Sequence, residues 1–210
     1  KKKIAFVHNA MWEMYNFRGE LLQELKAKGY EITVICPPDE KNAHYFTDLG
    51  IKLLTVPMSR KGTNIKEDVQ LVKNLFKVYK KEKFDLVFHY TIKPNIYGTL
   101  AAKLAGIKSI AITTGLGYVF LHNNITSLIA KFMYKFSLAF ANEVWFLNDD
   151  DMNIFLDKDL ITERQAFKLP SEGINTKRFV PKEKSRKDNK TVFLMIARVL
   201  YDKGFNEYLE

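Results

Sequence analysis

Two cationic side chains near the end of the chain have a spacing suited to binding a diphosphate. Arg198 follows an apolar run, and Lys203 comes about five positions later, at the predicted start of a helix. An arginine and a lysine beside a helix N-terminus can hold a diphosphate without a metal ion. The same pattern is common and more often structural, so both interpretations stay open at this point.

Polar and glycine residues gather where predicted strands end. They are His8, Asn9, Trp12, Glu13, Tyr15, Asn16 and Arg18 after the first strand, His89, Tyr90 and Lys93 after the fourth, and Thr113, Thr114, Gly115 and Gly117 after the fifth. Open parallel sheets bind ligands outside the carboxyl ends of their strands. We therefore predict that three loops face one crevice, and an ordinary loop role is an equal alternative for any single residue.

The first of these loops excludes two classes of nucleotide-binding protein. A dinucleotide site needs several glycines at fixed spacing, but this loop has only Gly19, and no GxxxxGK[ST] phosphate loop is present. Arg18 and Gly19, at the predicted start of the first helix, can still hold an anion. Gly115 and Gly117 mark flexible or closely approached positions, for which tight turning is an equal explanation.

Neither a catalytic metal nor a cofactor is predicted. The four histidines, at positions 8, 44, 89 and 122, lack the helical pairing that places two metal ligands on one face. No serine or cysteine nucleophile signature occurs. The single cysteine, Cys36, excludes an intramolecular disulfide and fits a reducing compartment.

The composition is that of a globular protein with a surplus of positive charge. Among 210 residues, 47% are hydrophobic and 27% charged, which excludes disordered, collagen-like and coiled-coil classes. The net charge of +9 favours anionic partners: nucleic acid, an acidic membrane surface or phosphorylated small molecules. No signal peptide is predicted, and no apolar run reaches the roughly 20 residues of a membrane span. We expect a cytoplasmic protein that can touch a membrane.

The elements that must position these residues alternate between strand and helix. Residues 4–7 form an apolar run, a loop of about ten residues follows, and a helical pattern at Leu21, Leu22 and Leu25 stops at Gly29 before the next apolar run, 32–36. Continuous apolar runs indicate strands buried on both faces, and this order predicts a right-handed parallel unit.

The same alternation continues along most of the chain. Further strands are predicted at residues 53–56, 85–89, 109–113 and 144–147. Helices are predicted around residues 45–49, at 64–83 with Val69, Val72, Leu75, Phe76 and Tyr79 on its apolar face, from Pro94 to Gly106, at 125–140, and at 149–156 with Asn148 as its cap. The predicted fold is α/β, a Rossmann-like, doubly wound parallel sheet of six or seven strands.

The pattern changes after residue 170. We predict one domain over residues 1–170, a basic linker over 171–190, and a new strand at 191–196 with the start of a helix from 201. One strand and one helical turn cannot bury a core of their own, which indicates the first unit of a second domain.

The chain resembles the GT-B glycosyltransferases of sequence family 4, in which two Rossmann-like domains close over a nucleotide-sugar. The segments that carry the resemblance are residues 16–38, 91–107, 114–120, 172–179 and 193–204. Within the family, the chain is most similar to bacterial transferases that add hexoses or N-acetylhexosamines during lipid-linked glycan, capsule or O-antigen assembly.

The resemblance implies roles for particular residues. Arg198 and Lys203 would grip the donor diphosphate, with Arg18 and Gly19 approaching it from the other domain. The loops after Tyr90 and Thr114 would face the acceptor, which assigns acceptor contacts to Asn16, Tyr90, Gly115 and Gly117. Thr114, where many members have a histidine, and Lys93 are the predicted catalytic residues. The resemblance also implies retention of anomeric configuration without a metal ion, and an acidic donor-binding segment beyond Glu210.

The predicted helix at residues 125–140 has two interpretations. Apolar residues surround it almost completely, with Lys131 and Lys135 on one side. It can simply pack on the sheet, or part of its face can also meet a bilayer or a polyprenyl tail, with the lysines toward lipid phosphates.

The leading hypothesis is a hexosyltransferase acting on a lipid-linked or cell-surface glycan, with the isolated 210 residues inactive because the donor pocket is incomplete. The alternative is a binding or anchoring half of a split transferase. Nucleic-acid binding is disfavoured, because the lysines are scattered and no motif interleaves aromatic and basic residues.

Overall fold

The computed structural model describes residues 1–59, 62, 64–116, 120, 125–170, 172–181, 191–197, 199 and 201–209. Contacts divide the chain into two units, Lys1–Glu172 and Gly173–Glu210. The large unit carries the sheet, and the small unit has a 3₁₀ turn at Tyr201–Lys203 and a short helix at Phe205–Leu209.

The large unit is a parallel sheet of seven strands with the order β3-β2-β1-β4-β5-β6-β7. The strands are β1 (Lys3–Val7), β2 (Glu31–Cys36), β3 (Lys52–Thr55), β4 (Leu86–Tyr90), β5 (Lys108–Thr113), β6 (Glu143–Phe146) and β7 (Ala166–Lys168). The central strands are buried on both faces, which is why they read as continuous apolar runs. The predicted doubly wound fold is confirmed.

Helices cover both faces of this sheet. They are α1 (Met11–Ala27), α2 (His44–Asp48), α3 (Ile65–Glu82), a π-helical turn (Pro94–Gly98) that continues into α4 (Thr99–Ala105), α5 (Ile125–Leu138) and α6 (Asp149–Asp157). The predicted caps occur where expected: the Asn148 side chain accepts from Asp151 N–H at 2.7 Å, and Gly106 ends α4 with a φ of 75°. An αL terminus of this kind favours glycine.

The first helix begins much earlier than the sequence pattern indicated. The loop of about ten residues predicted after β1 is wrong, because α1 starts at Met11. Its buried stripe is Met11, Met14, Arg18 and Leu22, so one buried position is occupied by an arginine. Of the other residues that resembled a loop, Trp12 and Asn16 are exposed on the helix, and Glu13 and Tyr15 are half-buried.

The apolar face predicted for α3 is also partly wrong. Val69 is half exposed, whereas Asp68 is buried beside Leu71, Leu75 and Tyr79. The buried carboxylate has partners on the π-helical turn, which the helical periodicity could not show.

The strand predicted at residues 191–196 is not formed: residues 191–197 have no regular secondary structure. Phe193, Leu194 and Ile196 are strongly exposed. A strand requires neighbours for its backbone N–H and C=O groups, and the described part of the small unit provides no partner strand.

Candidate functional site

The strand order reverses between β1 and β4, since chain connections run outward from this point on both sides. In an open α/β sheet this switch point opens a crevice at the carboxyl ends of the strands, where ligands bind. His8 follows β1 and Tyr90 ends β4, and their ring centroids lie 6.1 Å apart. The two residues therefore mark the centre of the candidate site.

A buried arginine lies beside Tyr90. The Arg18 guanidinium carbon lies 4.6 Å from the Tyr90 ring centroid, and the guanidinium forms an ion pair with the carboxylate of Glu172. Burial raises the pKa of Tyr90 to about 12, although the nearby Arg18 charge acts in the opposite direction. Tyr90 is therefore a neutral hydroxyl at ordinary pH.

The helical position of Arg18 changes its predicted role. Arg18 and Gly19 were expected to open the first helix, but they lie in its interior, and this placement is wrong. Backbone N–H groups inside a helix already donate to carbonyls of the preceding turn, so the Gly19 N–H is not available to a phosphate. The first bond of that ladder runs from Met14 N–H to the Ala10 carbonyl at 3.2 Å, which places the N-terminal amides of α1 at residues 11–13.

His8 is held in a defined orientation at the start of this helix. The Ala10 N–H donates to His8 Nδ1 at 2.9 Å, and His8 Nε2 lies 3.9 Å from Glu13 Oε2. Because Nδ1 accepts, a neutral His8 carries its proton on Nε2, toward the Glu13 carboxylate. The sequence analysis noted both residues but assigned neither a role.

Lys93 lies at the carboxyl end of β4 but is directed into the protein. Its ammonium donates to Asp68 Oδ1 and to Ser59 Oγ, each at 2.7 Å, and the side chain is about 10% exposed. Tyr97 donates its hydroxyl to the second Asp68 oxygen at 2.8 Å. This ion pair gives Lys93 a structural role between the π-helical turn and α3, and the catalytic role predicted for it stays a prediction.

Three residues place unpaired polar atoms at the ends of β4 and β5, and the sequence analysis named only Thr113 among them. Asn95 donates its backbone N–H to the Thr91 carbonyl at 2.9 Å and its side-chain amide to the Ile112 carbonyl at 3.0 Å, which brings Thr91, Asn95 and Thr113 together. Within the described part of the chain, Thr91 Oγ1, Asn95 Oδ1 and Thr113 Oγ1 are buried without a hydrogen-bond partner. Such atoms normally bind ordered water or a ligand.

The backbone around this polar cluster is unusual as well. Thr91 has a φ of 71°, in the left-handed region that a β-branched residue rarely adopts. Strain of this kind, together with a π-helical turn, is found most often at functional sites.

Two further predicted residues lie at the same edge of the sheet. Thr114, predicted to be catalytic, and Gly115, a predicted acceptor contact, follow β5 and are exposed. Gly115 has a φ of 139° that favours glycine. The catalytic role of Thr114 stays a prediction. Asn16 is exposed on α1. Gly117 lies outside the described residues, so the structure brings together part of the predicted set.

Of the two predicted diphosphate ligands, only Lys203 falls within the described residues. It is exposed at the end of the 3₁₀ turn in the small unit. Arg198 lies outside the described residues, and the clamp formed by the two cations stays a prediction.

His89 has a structural role. It is fully buried, its Nε2 pairs with the Tyr79 hydroxyl at 2.9 Å, and burial lowers its pKa to about 3. Among the described residues, no group of three or more His, Cys, Asp or Glu side chains is arranged to hold a metal ion.

Residues 3–148 match the family described as glycosyl transferase 4-like. The chain belongs to this family. The match spans six of the seven strands of the sheet, β1 to β6, including the switch point and the polar cluster at the ends of β4 and β5.

Two curated relatives of the family are transferases. The chain is 32% identical, over 99% of its length, to the N,N'-diacetylbacillosaminyl-diphospho-undecaprenol alpha-1,3-N-acetylgalactosaminyltransferase of Campylobacter jejuni. It is 26% identical, over 81% of its length, to the UDP-Gal:alpha-D-GlcNAc-diphosphoundecaprenol alpha-1,3-galactosyltransferase of Escherichia coli. The chain spans 59% and 46% of the lengths of these relatives.

Solved structures share the fold at low sequence identity. A glycosyltransferase from Rickettsia africae has a TM-score of 0.59 and 19% identity, covering 85% of this chain and 45% of its own. A UDP-GlcNAc 2-epimerase from Neisseria meningitidis has a TM-score of 0.60 and 15% identity, covering 81% and 47%. Because one fold serves both enzymes, the fold alone does not decide the reaction.

Proposed function

We propose that the full-length protein transfers a hexose or an N-acetylhexosamine from a nucleotide-diphosphate sugar to a lipid-linked or cell-surface glycan. The observation that carries this proposal is the family match over residues 3–148. It is supported by two curated relatives whose names describe transfer to diphospho-undecaprenol acceptors.

The acceptor would approach the carboxyl edge of the sheet. Thr114 and Gly115 are exposed there, beside the buried oxygens of Thr91, Asn95 and Thr113. These oxygens are already buried without a partner in the free protein, so a sugar hydroxyl that donates to one of them would relieve a cost of about 1–3 kcal/mol, whereas an apolar ligand would relieve none. The cluster therefore favours a ligand rich in hydroxyl groups, such as a glycan acceptor.

The donor chemistry would depend mainly on stabilising charge. When the bond between the sugar and the diphosphate breaks, its electron pair goes to the leaving nucleotide diphosphate, while an acceptor hydroxyl oxygen bonds to the anomeric carbon and gives its proton to the leaving diphosphate. Arg198 and Lys203 would bind that diphosphate and stabilise its negative charge without a metal ion. In this scheme the sugar is transferred with retention of its anomeric configuration.

An acceptor attached to a lipid would bring the enzyme to a membrane. No helix among the described residues combines the length and apolar character needed to cross a bilayer. On the basis of the lipid-linked acceptor, we propose peripheral attachment at the inner face of the cytoplasmic membrane, assisted by the net charge of +9.

The diphosphate role is tested by steady-state kinetics of the full-length protein carrying Arg198→Ala or Lys203→Ala. Removing one cationic contact should cost about 3 kcal/mol in the transition state, by analogy with lost oxyanion donors, or roughly a hundredfold in kcat/KM for the donor. The melting temperature of the Lys203→Ala variant should not change, because Lys203 is exposed.

Lys177→Ala is the matched control, since Lys177 is an exposed cation of the same small unit with no assigned role. Its donor kinetics should equal those of the wild type. Unchanged donor kinetics in both the Arg198→Ala and Lys203→Ala variants would contradict the diphosphate role.

A further inference from the structure

Helix α5 presents large apolar side chains to solvent. Ile125, Leu128, Ile129, Phe132 and Phe136 are between 50% and 77% exposed. At 3.6 residues per turn, these five positions form one continuous stripe along the helix. Single exposed apolar residues are ordinary on protein surfaces, but a contiguous stripe of this size marks an interaction surface.

The side of α5 that faces the sheet is a separate face of the helix. Its buried residues are Tyr134 and Leu138, which belong to the hydrophobic core, together with Ser127 and Ser137. Ser137 donates its hydroxyl to the Met133 carbonyl of the same helix at 2.7 Å. Because this other face already anchors the helix to the sheet, packing on the sheet does not explain the outer stripe.

Lysines border this stripe. Lys135 is exposed on α5, Lys131 lies one turn earlier with its ammonium 6.0 Å from the Phe120 ring centroid, and α5 contains no acidic residue. At the end of the helix, the Lys103 ammonium lies 5.5 Å from the Phe140 ring centroid. Long cationic side chains at the margin of an apolar face can reach lipid phosphates while the face enters the acyl boundary.

We propose that this outer face of α5 docks on the interfacial region of an anionic lipid bilayer. The purpose of the docking rests on the proposed function: it would hold the enzyme where a lipid-linked acceptor arrives. Ile125 begins the helix at the carboxyl edge of the sheet, which is the proposed acceptor side. The physical basis is independent of that function: apolar burial supplies the affinity, and each lysine near an anionic surface adds about 1 kcal/mol.

Charge favours a bilayer over a second copy of the chain. A two-fold interface uses the same patch on both subunits, so it would bring Lys131 and Lys135 of both copies to one apolar contact. With no carboxylate on α5, the helix offers Lys135 no counter-charge in such a contact, and partial desolvation of its ammonium would be unfavourable. An anionic lipid surface offers Lys135 a counter-charge.

The experiment is co-sedimentation of the full-length protein with vesicles of phosphatidylcholine mixed with phosphatidylglycerol, without donor or acceptor. Phe132→Ser with Phe136→Ser should lower the partition coefficient by about tenfold or more. The matched control is Ile65→Ser with Val69→Ser on α3, where Ile65 is 78% and Val69 49% exposed. This control should change binding less than about twofold.

A second pair of variants tests the electrostatic part. Lys131→Glu with Lys135→Glu should abolish the preference for phosphatidylglycerol-containing over pure phosphatidylcholine vesicles. Lys73→Glu with Lys77→Glu, an equal charge change at exposed positions of α3, should retain that preference. Melting temperatures should show that all four double variants remain folded.

The proposal is overturned if the wild type does not sediment, or if either α5 variant binds as its α3 control does. Dimerisation that Phe132→Ser with Phe136→Ser abolishes, without vesicle binding, would assign the face to a second copy instead. Sugar transfer by the wild type to a short-chain, water-soluble acceptor distinguishes this proposal from the proposed function. If the wild type binds vesicles but transfers no sugar to that acceptor, the proposed function is rejected and the membrane docking is not.

Discussion

At the scale of single residues, the candidate site is built around charges that the fold buries and pairs. Arg18 is bound by Glu172 and packs on Tyr90, while Lys93 is bound by Asp68 and Ser59. Because buried ions need partners, each pair fixes the position of one loop or turn at the carboxyl edge of the sheet. These ions organise the site before any substrate binds.

A double-variant test distinguishes a structural from a catalytic role for Lys93. Lys93→Met alone leaves the Asp68 carboxylate buried without its cation and should reduce the free energy of unfolding by about 3 kcal/mol. Adding Asp68→Asn removes the unpaired charge and keeps an acceptor for the Tyr97 hydroxyl, so much of that stability should return. We expect kcat to return with it, as measured by thermal unfolding and steady-state turnover. Restored stability with kcat still lost would show that the ammonium acts in catalysis.

A pH prediction follows from His89. Its pKa is about 3 in the folded protein because of burial, against about 6.5 when unfolded. The unfolded chain therefore binds the proton first, and stability is lost as the pH falls below about 6.5, by up to about 1.4 kcal/mol per pH unit. His89→Gln, which keeps an acceptor for Tyr79, should flatten this dependence in urea unfolding between pH 6.5 and 4. An unchanged slope would contradict the buried neutral imidazole.

At the scale of elements, the π-helical turn lies against the sheet because Gly98 lacks a side chain. A Cβ atom at Gly98 would lie 2.5 Å from Cδ2 of the His89 ring, which is itself fully buried and paired. The turn also carries Lys93 at its start and Asn95 of the polar cluster. Its close approach to β4 thus positions groups of the candidate site.

Gly98→Ala should therefore destabilise the protein by about 1–3 kcal/mol through overpacking, and displacement of Asn95 should raise KM for the acceptor. Gly19→Ala is the control, because its Cβ would meet only the half-buried Tyr15 ring at 3.3 Å, within a helix that favours alanine. Equal melting temperatures for the two variants would contradict the close packing at Gly98.

The sequence predicts the alternation of strands and helices well, since the buried strands are continuous apolar runs and Asn148 and Gly106 have standard capping chemistry. It fails where a polar residue is buried. Arg18 interrupts the apolar stripe of α1 and concealed the true start of that helix, and the apolar face predicted for α3 did not include the buried Asp68. The periodicity of apolar residues indicates which face of a helix packs on the core. Only the tertiary contacts show which charged residues are buried on that face and paired.

At the scale of the whole molecule, the family match and the switch-point crevice concern the large unit, whereas Arg198 and Lys203, the predicted diphosphate ligands, belong to the small one. The strand predicted at residues 191–196 needs neighbouring strands for its backbone hydrogen bonds. A sequence pattern does not show whether such strands are present. Fold and family could thus be predicted from the chain itself. The polar cluster of Thr91, Asn95 and Thr113 could not, because unpaired buried atoms have no sequence signature.

The most direct test of the account is sugar transfer by the full-length protein. Radiolabelled UDP-linked hexoses and N-acetylhexosamines would be incubated with acceptors linked to undecaprenyl diphosphate, and the lipid products separated by chromatography. We predict that one donor yields a lipid extended by a single sugar, without added metal ion. Unextended lipid with every donor, from protein shown to be folded, would contradict it.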